Sequence, residues 1–544
     1  MKLRYLKIIL IALVIASAGA CTKTPTFDNP YSGGKPALGV QLSLTVPPVP
    51  TTGAIGSTVT FAATGLLPYK DKLIFMFNGQ VAQVVSVTDA AITVTVPVTA
   101  STGVATLTIG DQVFFGPRFK VSGKISVDPA FSVLNGANNT VNTAYQLSDG
   151  RLMFVGAFTD YDTKALLNPI NHIALAFNTG SADISFKSNG SDGPLTSILS
   201  NGSKLFVAGS FHSFYFLGGK ATLTNMNNIT RLGLDGTPDS ILVPQYNNAK
   251  KKAVPAFTGN FFGSFTNGNT GSSGSVTKIF NFNGKITAIG NFGYYGMSRF
   301  DSLLAPKPRV IYDTLRIPQV ARLDYNGLLD GAFRYNITTH TGFAGGNGSV
   351  YDGFMQADGK LVIVGNFTKF DSIAAKRIVR LNTDGTIDQN FNTGSGADQV
   401  IRSISYNAVT NKFFITGSFT TYNGQPALGI AMLNADGSLD NTFASKGFSI
   451  EGGATFAKQL SNGLIIVSGS FVNYNNIRHR GFIVLDQTGN LAVGYNTLGD
   501  FVGSINDVLE TINSSGKVTA MLMGTFTQVD GLPVSNITRV VFEP

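Results

Sequence analysis

Three features of this 544-residue sequence predict an all-β protein: a small β-sandwich followed by a seven-bladed β-propeller closed by an N-terminal strand. Val, Ile, Thr and Phe alternate in short runs broken by Asn-Gly and Asp-Gly, and long Lys/Glu-rich helical patterns are absent. From about residue 124 an apolar run ending in Gly-x-Phe recurs seven times. The last repeat stops before its final segment, and a segment of that form stands alone ahead of the first. A chain of this length is too long for one small domain. It needs neither disulfide nor structural metal to build a core, and with Cys21 as its only cysteine it has no intrachain disulfide.

The N-terminus, MKLRYLKIILIALVIASAGAC, has the parts of a secretory signal. Lys2, Arg4 and Lys7 are the basic region, and Ile8 to Ile15 is an apolar run too short for a stable transmembrane span. The small residues Ser17 to Ala20 then lead into Cys21. This arrangement resembles bacterial lipoprotein signals, although Ala18 stands where that family more often has Leu. The resemblance implies a signal peptide at 1–20, a lipid on Cys21 and anchoring in the outer membrane, with display at the cell surface as the expectation. Residues 21–37, rich in Pro, Gly, Ser and Thr, read as a flexible tether with a reach of roughly 20–25 Å. Removal of residues 1–20 takes away Lys2, Arg4 and Lys7 and no acid, so the formal charge of +9 becomes +6. No basic cluster is interleaved with aromatics, which argues against nucleic acid as a partner.

Residues 38–122 alternate strongly in GSTVTFAATGL (56–66), KLIFMFNGQVAQVVSV (72–87), AAITVTVP (90–97) and GVATLTIGDQVFFGPRFKV (103–121), the pattern of a small sandwich. The passage from Gly56, the Phe77-Asn78-Gly79 turn, the strand end at Pro97 and the closing Phe119-Lys120-Val121 resemble the immunoglobulin-like TIG (IPT) domain. That resemblance implies a spacer or stacking module.

Residues 123–544 carry the repeats. Gly-x-Phe falls at Gly156/Phe158, Gly209/Phe211, Gly290/Phe292, Gly365/Phe367, Gly417/Phe419, Gly469/Phe471 and Gly524/Phe526, at intervals of 53, 81, 75, 52, 52 and 55 residues. Three places after the Phe stands a further aromatic (Tyr161, Phe214, Tyr295, Phe370, Tyr422, Tyr474), with Val529 as the exception. A third strand, a tight turn and Asp-x-x-Phe follow. One unit therefore reads as four short strands. Runs such as LVIV (361–364) need not alternate if both faces are buried, and the Gly allows close backbone approach while the aromatics wedge between blades. The final unit ends at SNITRVVFEP (535–544) without Asp-x-x-Phe, and KISVDPAF (124–131) has the form of the missing strand, so 124–131 should pair with 535–542 and close the ring. The repeats resemble the bacterial delta-sixty repeat, most closely at 357–391 and 409–443, which implies a propeller and no particular activity.

Catalytic and metal chemistry find little support. His172, His212, His340 and His479 occupy non-equivalent repeat positions, and neither a zinc-binding pair nor a G-x-S-x-G nucleophile motif occurs. Turns such as NTDGTID (382–388) lack the spacing of a calcium loop and read as hairpin turns. Arg231, Arg322, Arg380 and Arg539 recur at one place in the third strand, as expected for pairing between blades. No catalytic residue, metal or cofactor is assigned, and the chain reads as a non-enzyme.

The long intervals locate three insertions, 212–228, 243–275 and 293–318. Each falls in a loop between strands two and three or between strands four and one, so all should crowd one face. They carry Tyr215, Phe216, Tyr246, Phe261, Phe262, Tyr294, Tyr295, Arg299 and Tyr312. Of these, Tyr215, Phe216, Tyr294, Tyr295, Arg299 and Tyr312 are the expected ligand contacts. Anchor, tether, spacer and propeller in series resemble the surface glycan-binding lipoproteins of polysaccharide-uptake systems. This implies an extracellular polysaccharide as ligand and an outer-membrane transporter as partner, although the chain has no Trp to stack on sugars. A protein-interaction or structural envelope module is the alternative, and a propeller hydrolase or lyase a third reading that would require a close carboxylate or His/Tyr pair.

Overall fold

The computed structural model describes residues 38–544 apart from 134, 165–169, 217–221, 224–225, 269–273, 300–310, 337, 450–451 and 514. The signal, Cys21 and the tether lie outside the described residues. Among those described, regular structure is β throughout save one 3-10 turn at Leu67–Tyr69, and no helix is long and apolar enough to cross a membrane.

Strands from Gln41–Leu42 to Gln112–Ser122 form one eight-stranded system. Thr58–Thr64 shows how the sequence builds it: Val59, Phe61 and Ala63 alternate inward, with Thr60 and Ala62 between them on the other face. The core they enter is aromatic, with Phe61 and Phe75 ring centres 4.9 Å apart and Phe77 and Phe119 5.2 Å apart. The Phe77-Asn78-Gly79 turn also joins this domain to the remainder of the chain. Asn78 Nδ2 donates to Ser101 Oγ at 2.9 Å and to Asp500 Oδ1 at 3.3 Å, and Asp500 is gripped by both Arg478 Nη atoms at 2.6 and 2.7 Å. Beside it the Thr102 N–H and hydroxyl both donate to the Thr497 carbonyl.

The remainder is a β-propeller. Its inner strands are Val141–Gln146, Leu195–Asn201, Val276–Phe282, Val350–Met355, Ile401–Asn407, Ala454–Gln459 and Val502–Ile512. Each pairs antiparallel with the apolar strand that carries the repeat glycine, and that strand pairs with a third. Inner strands pack on one another in chain order, and Val502–Ile512 packs on Val141–Gln146, closing the circle. The fourth strand is shorter than the sequence pattern predicts. In six units it is a single bridge, such as Leu381↔Ile387 or Leu433↔Leu439; in the four of these that carry Asp-x-x-Phe, at Asp183, Asp330, Asp388 and Asp440, the Asp turns the chain back on itself. Asp388 Oδ1, for example, accepts the Asn390 N–H at 3.0 Å. The exception is Ile125–Val127, which lies antiparallel to Ile537–Phe542 with Val127 opposite Val540.

The recurrent arginines hold the ring together in a consistent way. Arg231, Arg322, Arg380 and Arg539 donate through Nε to Asp239, Asp330, Asp388 and Asp128, at 2.6, 2.8, 2.8 and 2.6 Å. The same guanidinium reaches through Nη1 to a turn carbonyl of the next unit: Tyr325, Thr383, Ala435 and Asn178 respectively. Each arginine thus ties the aspartate that follows the turn, in three of the four cases that of Asp-x-x-Phe, to a third strand and one blade to the next. Burial alone would raise the Asp388 carboxyl. Hydrogen bonds from Lys360 and the Asn390 N–H, with the charge of Arg380, hold it below the usual carboxylate range instead.

The glycine of Gly-x-Phe sits under a backbone carbonyl. A Cβ at Gly156, Gly290, Gly365 or Gly417 would lie 2.1, 2.2, 2.1 and 2.0 Å from the carbonyl oxygen of Thr140, Ser275, Ser349 and Val400. Gly365→Ala should therefore cost about 2 kcal/mol or more in a urea unfolding series. Gly331→Ala, whose added methyl would meet only Tyr335 at 3.9 Å, should be close to neutral. Equal effects from the two would contradict this account of the motif.

Candidate functional site

In each repeat the residue that begins the third strand has a left-handed backbone: His172, Asn228, Gln319, Arg377, Gly429, Gly481 and Asn536. Its N–H donates to the carbonyl of the repeat Phe, and its own carbonyl accepts the N–H of the repeat Gly, as in Arg377 with Phe367 and Gly365. This closes the loop between strands two and three into a compact turn. The turn then meets the loop that enters the same blade: Ala137↔Tyr161, Ala397↔Tyr422 and Phe448↔Tyr474 are antiparallel bridges between the two. Both loops therefore lie on one face.

The aromatic at each bridge is buried. Tyr161, Tyr295, Tyr422 and Tyr474 donate their hydroxyls to the carbonyls of Gly180, Gly327, Gly437 and Gly489 at 2.6, 2.9, 2.9 and 2.6 Å. Burial pushes the Tyr295 and Tyr422 hydroxyls above the ordinary phenol range. Where the aromatic is Phe370 and brings no hydroxyl, Arg334 supplies the donor. It is 1 % exposed, bonds the Gly385 carbonyl at 3.0 Å and grips Asp371 with both Nη atoms at 2.7 Å. Sequence reading missed Arg334. Its only signal was the absence of a hydroxyl at position 370.

The insertions elaborate these bridges. The described part of segment 243–275 begins in a hairpin, Ser240–Asn247 against Lys252–Gly259, followed by the strand Gly263–Thr266. That strand pairs with Tyr294–Arg299, which pairs in turn with Ile311–Arg316. Tyr312 links two insertions: its hydroxyl contacts Ser264 Oγ and accepts from Asn227 Nδ2 at 3.3 Å. Tyr215 is half-buried on Phe214–Phe216 opposite Thr222. Phe216 shares that strand, and its side chain lies outside the described atoms. Tyr294 is half-buried opposite Thr266 and Arg316. Arg299 is exposed and paired with Asp313 at 3.0 Å. Tyr295 and Phe261 are corrections to the expected surface. Both are buried, Tyr295 as the inter-blade aromatic and Phe261 against Phe206, so neither offers a face to a ligand.

A second feature of this face was not anticipated. Six inner strands start with one buried apolar residue and then slip register by one place, as between Val350 and Asp352 or Ile401 and Ser403; in Val502–Ile512 the same slip follows buried Ile505. The extra residues are Asn142, Thr196, Thr277, Tyr351, Arg402, Thr455 and Asn506, a polar set in all units. A β-bulge leaves its extra residue out of the ladder and so can aim it at a ligand. Deeper in the ring Lys278 Nζ meets Asp352 at 3.0 Å and Thr143 Oγ1 donates to Asp507 at 2.6 Å. Burial alone would lower the Lys278 ammonium, but the charges of Asp352 and Asp507 outweigh it and hold it above its usual value. A groove of about 550 Å³ opens between the Gly417 and Gly469 units, lined by Arg402, Thr420, Leu428, Phe448, Thr455 and Ser470 among others.

With this geometry in place, comparison with known proteins supports the propeller. A domain of unknown function described as a beta-propeller, DUF5122, matches residues 356–391 and 411–443, the repeats whose motif is fullest. A second domain of unknown function, DUF5008, matches residues 14–117. No curated protein matches the chain. Among solved structures, the chain is similar to a protein of unknown function from Bacteroides thetaiotaomicron VPI-5482, at 10% identity and a TM-score of 0.25, covering 92% of this chain and 99% of that one. An auxiliary nutrient binding protein from Bacteroides ovatus ATCC 8483 gives the same identity, TM-score and coverage. The Cps50 (Swd1) beta-propeller domain of Myceliophteria thermophila is 9% identical with a TM-score of 0.36, over 75% of this chain and 98% of that one.

The division of labour between the adjacent tyrosines is testable by thermal and urea unfolding. Tyr295→Phe should lose about 1 kcal/mol of stability with its hydrogen bond, whereas Tyr294→Phe should be neutral. The reverse order would move the inter-blade role to Tyr294.

Proposed function

We propose that this protein is a lipoprotein of the bacterial outer membrane, attached through Cys21 and displayed at the cell surface. In this reading a TIG-like, immunoglobulin-type domain serves as spacer, and a seven-bladed propeller binds an extracellular polysaccharide on its insertion-bearing face. One observation carries the binding role: that face gathers the half-buried Tyr215, Tyr294 and Tyr312, the exposed Arg299, and a groove lined by hydroxyls. Half-buried tyrosines held by strand pairing offer a flat apolar face and a hydroxyl at small entropic cost, which is what stacking on a sugar ring requires. The polar joint at Asn78, Thr102 and Asp500 suits a spacer that presents the propeller in one orientation, and an outer-membrane transporter is the fitting partner to receive captured polymer. The reading is of a binder rather than an enzyme. Asp352 is committed to Lys278 and the Ile404 N–H, and Asp507 accepts from Thr143 and the Val508 N–H.

The test uses the mature chain on an array of extracellular glycans, scored for both retention and cleavage. Retention without cleavage is expected, with Tyr294→Ala weakening the best ligand roughly tenfold at unchanged melting temperature. In cells, Cys21→Ser should leave the protein unanchored. Binding of no glycan, or turnover of a retained one, would contradict the proposal.

A further inference from the structure

We propose that the groove between the Gly417 and Gly469 units takes an acidic saccharide unit, a uronate or a sugar sulfate, and that Arg402 is the residue that reads its negative charge. The inference rests on the carbohydrate-binding reading above and narrows its ligand class. Arg402 is the bulge residue of Ile401–Asn407 and is exposed. Arg231, Arg322, Arg380 and Arg539 each spend their guanidinium on an aspartate. Arg402 has no ion pair or side-chain hydrogen bond among the described residues, and it lines a groove. An unspent planar fork in a concave site matches the geometry of a carboxylate or sulfate.

The rest of the lining suits a sugar. Thr455 and Ser470 bring hydroxyls, while exposed Leu428 and half-buried Phe448 bring an apolar wall for the C–H face of a ring. The one carboxylate bonded to the groove wall among the described residues does not compete for Arg402. Asp398 accepts the Thr420 and Thr421 N–H groups and the Thr420 hydroxyl, at 2.9, 3.0 and 2.7 Å. Glu451 lies outside the described residues. About 550 Å³ is room for one or two sugar units, within the usual range of ligand pockets. Tyr351 occupies the same bulge position on the neighbouring inner strand and is also exposed, so an aromatic stands on the adjacent strand at the register position of the cation.

Isothermal titration of the full mature chain with four oligosaccharides of equal length tests this: a galacturonate oligomer, its methyl ester, a sulfated oligomer and a neutral oligomer. The acidic ligands should bind more tightly than the ester and the neutral chain. Arg402→Gln should weaken acidic binding at least tenfold, Arg402→Lys should restore part of it, and neither should move the melting temperature or the affinity for neutral sugar. The preference between galacturonate and sulfate identifies the anion. If the ester or the neutral chain binds as tightly as the acids, or if Arg402→Gln leaves acidic binding unaltered, the inference is overturned while carbohydrate binding stands. Failure of all four to bind removes both.

Discussion

The fold depends on one close approach repeated around the ring. The carbonyl of the residue entering each inner strand lies over the α-carbon of the repeat glycine, where a methyl group would sit about 2 Å from it. In the Gly365 unit that Ser349 carbonyl accepts the N–H of Asn366, and the Gly365 N–H is taken by the left-handed Arg377. The contact thus ends the ladder, starts the third strand and brings the entering loop down onto the aromatic turn. It also explains the bulge. An inner strand pinned at its first residue must slip one place to recover its register, and the extra residue is left at the mouth of the ring.

Closure uses the same chemistry as the joints made by Arg231, Arg322 and Arg380. Arg539 meets Asp128 and Asn178 across the chain ends as Arg380 meets Asp388 and Ala435 within the chain. Removing one partner of such a pair leaves a buried charge uncompensated, which typically costs about 3–5 kcal/mol. The N-terminal domain is fastened close to this closing joint, through Asp500 and Thr497 in the last unit. The N-terminal domain and ring closure thus share one region of the propeller, and the insertions sit on other units.

The repeat, its glycine, the buried aromatics and the returning N-terminal strand were legible because each is a matter of residue type at fixed spacing. The fourth strand was overread because Asp-x-x-Phe looks extended in sequence, while its Asp in fact folds the chain back. Tyr295 could be read two ways from GYYG, and burial decides for the core. The bulge ring was illegible for a physical reason. A one-residue slip leaves no gap in an apolar–polar alternation, so Arg402 reads as an ordinary outward residue of IRSISYN. Arg334 was hidden because it replaces a hydroxyl from a distant position.

The central claim is that the face bearing the insertions and the bulge ring is the working face. Hydrogen–deuterium exchange of the protein, with and without a bound acidic oligosaccharide, tests it most directly. The account predicts slowed exchange at 417–420, 447–449 and 452–455, and in the 294–299 strand when the oligomer is long enough to reach the rim. Protection confined to the opposite turns, such as 147–151 and 382–386, would contradict it.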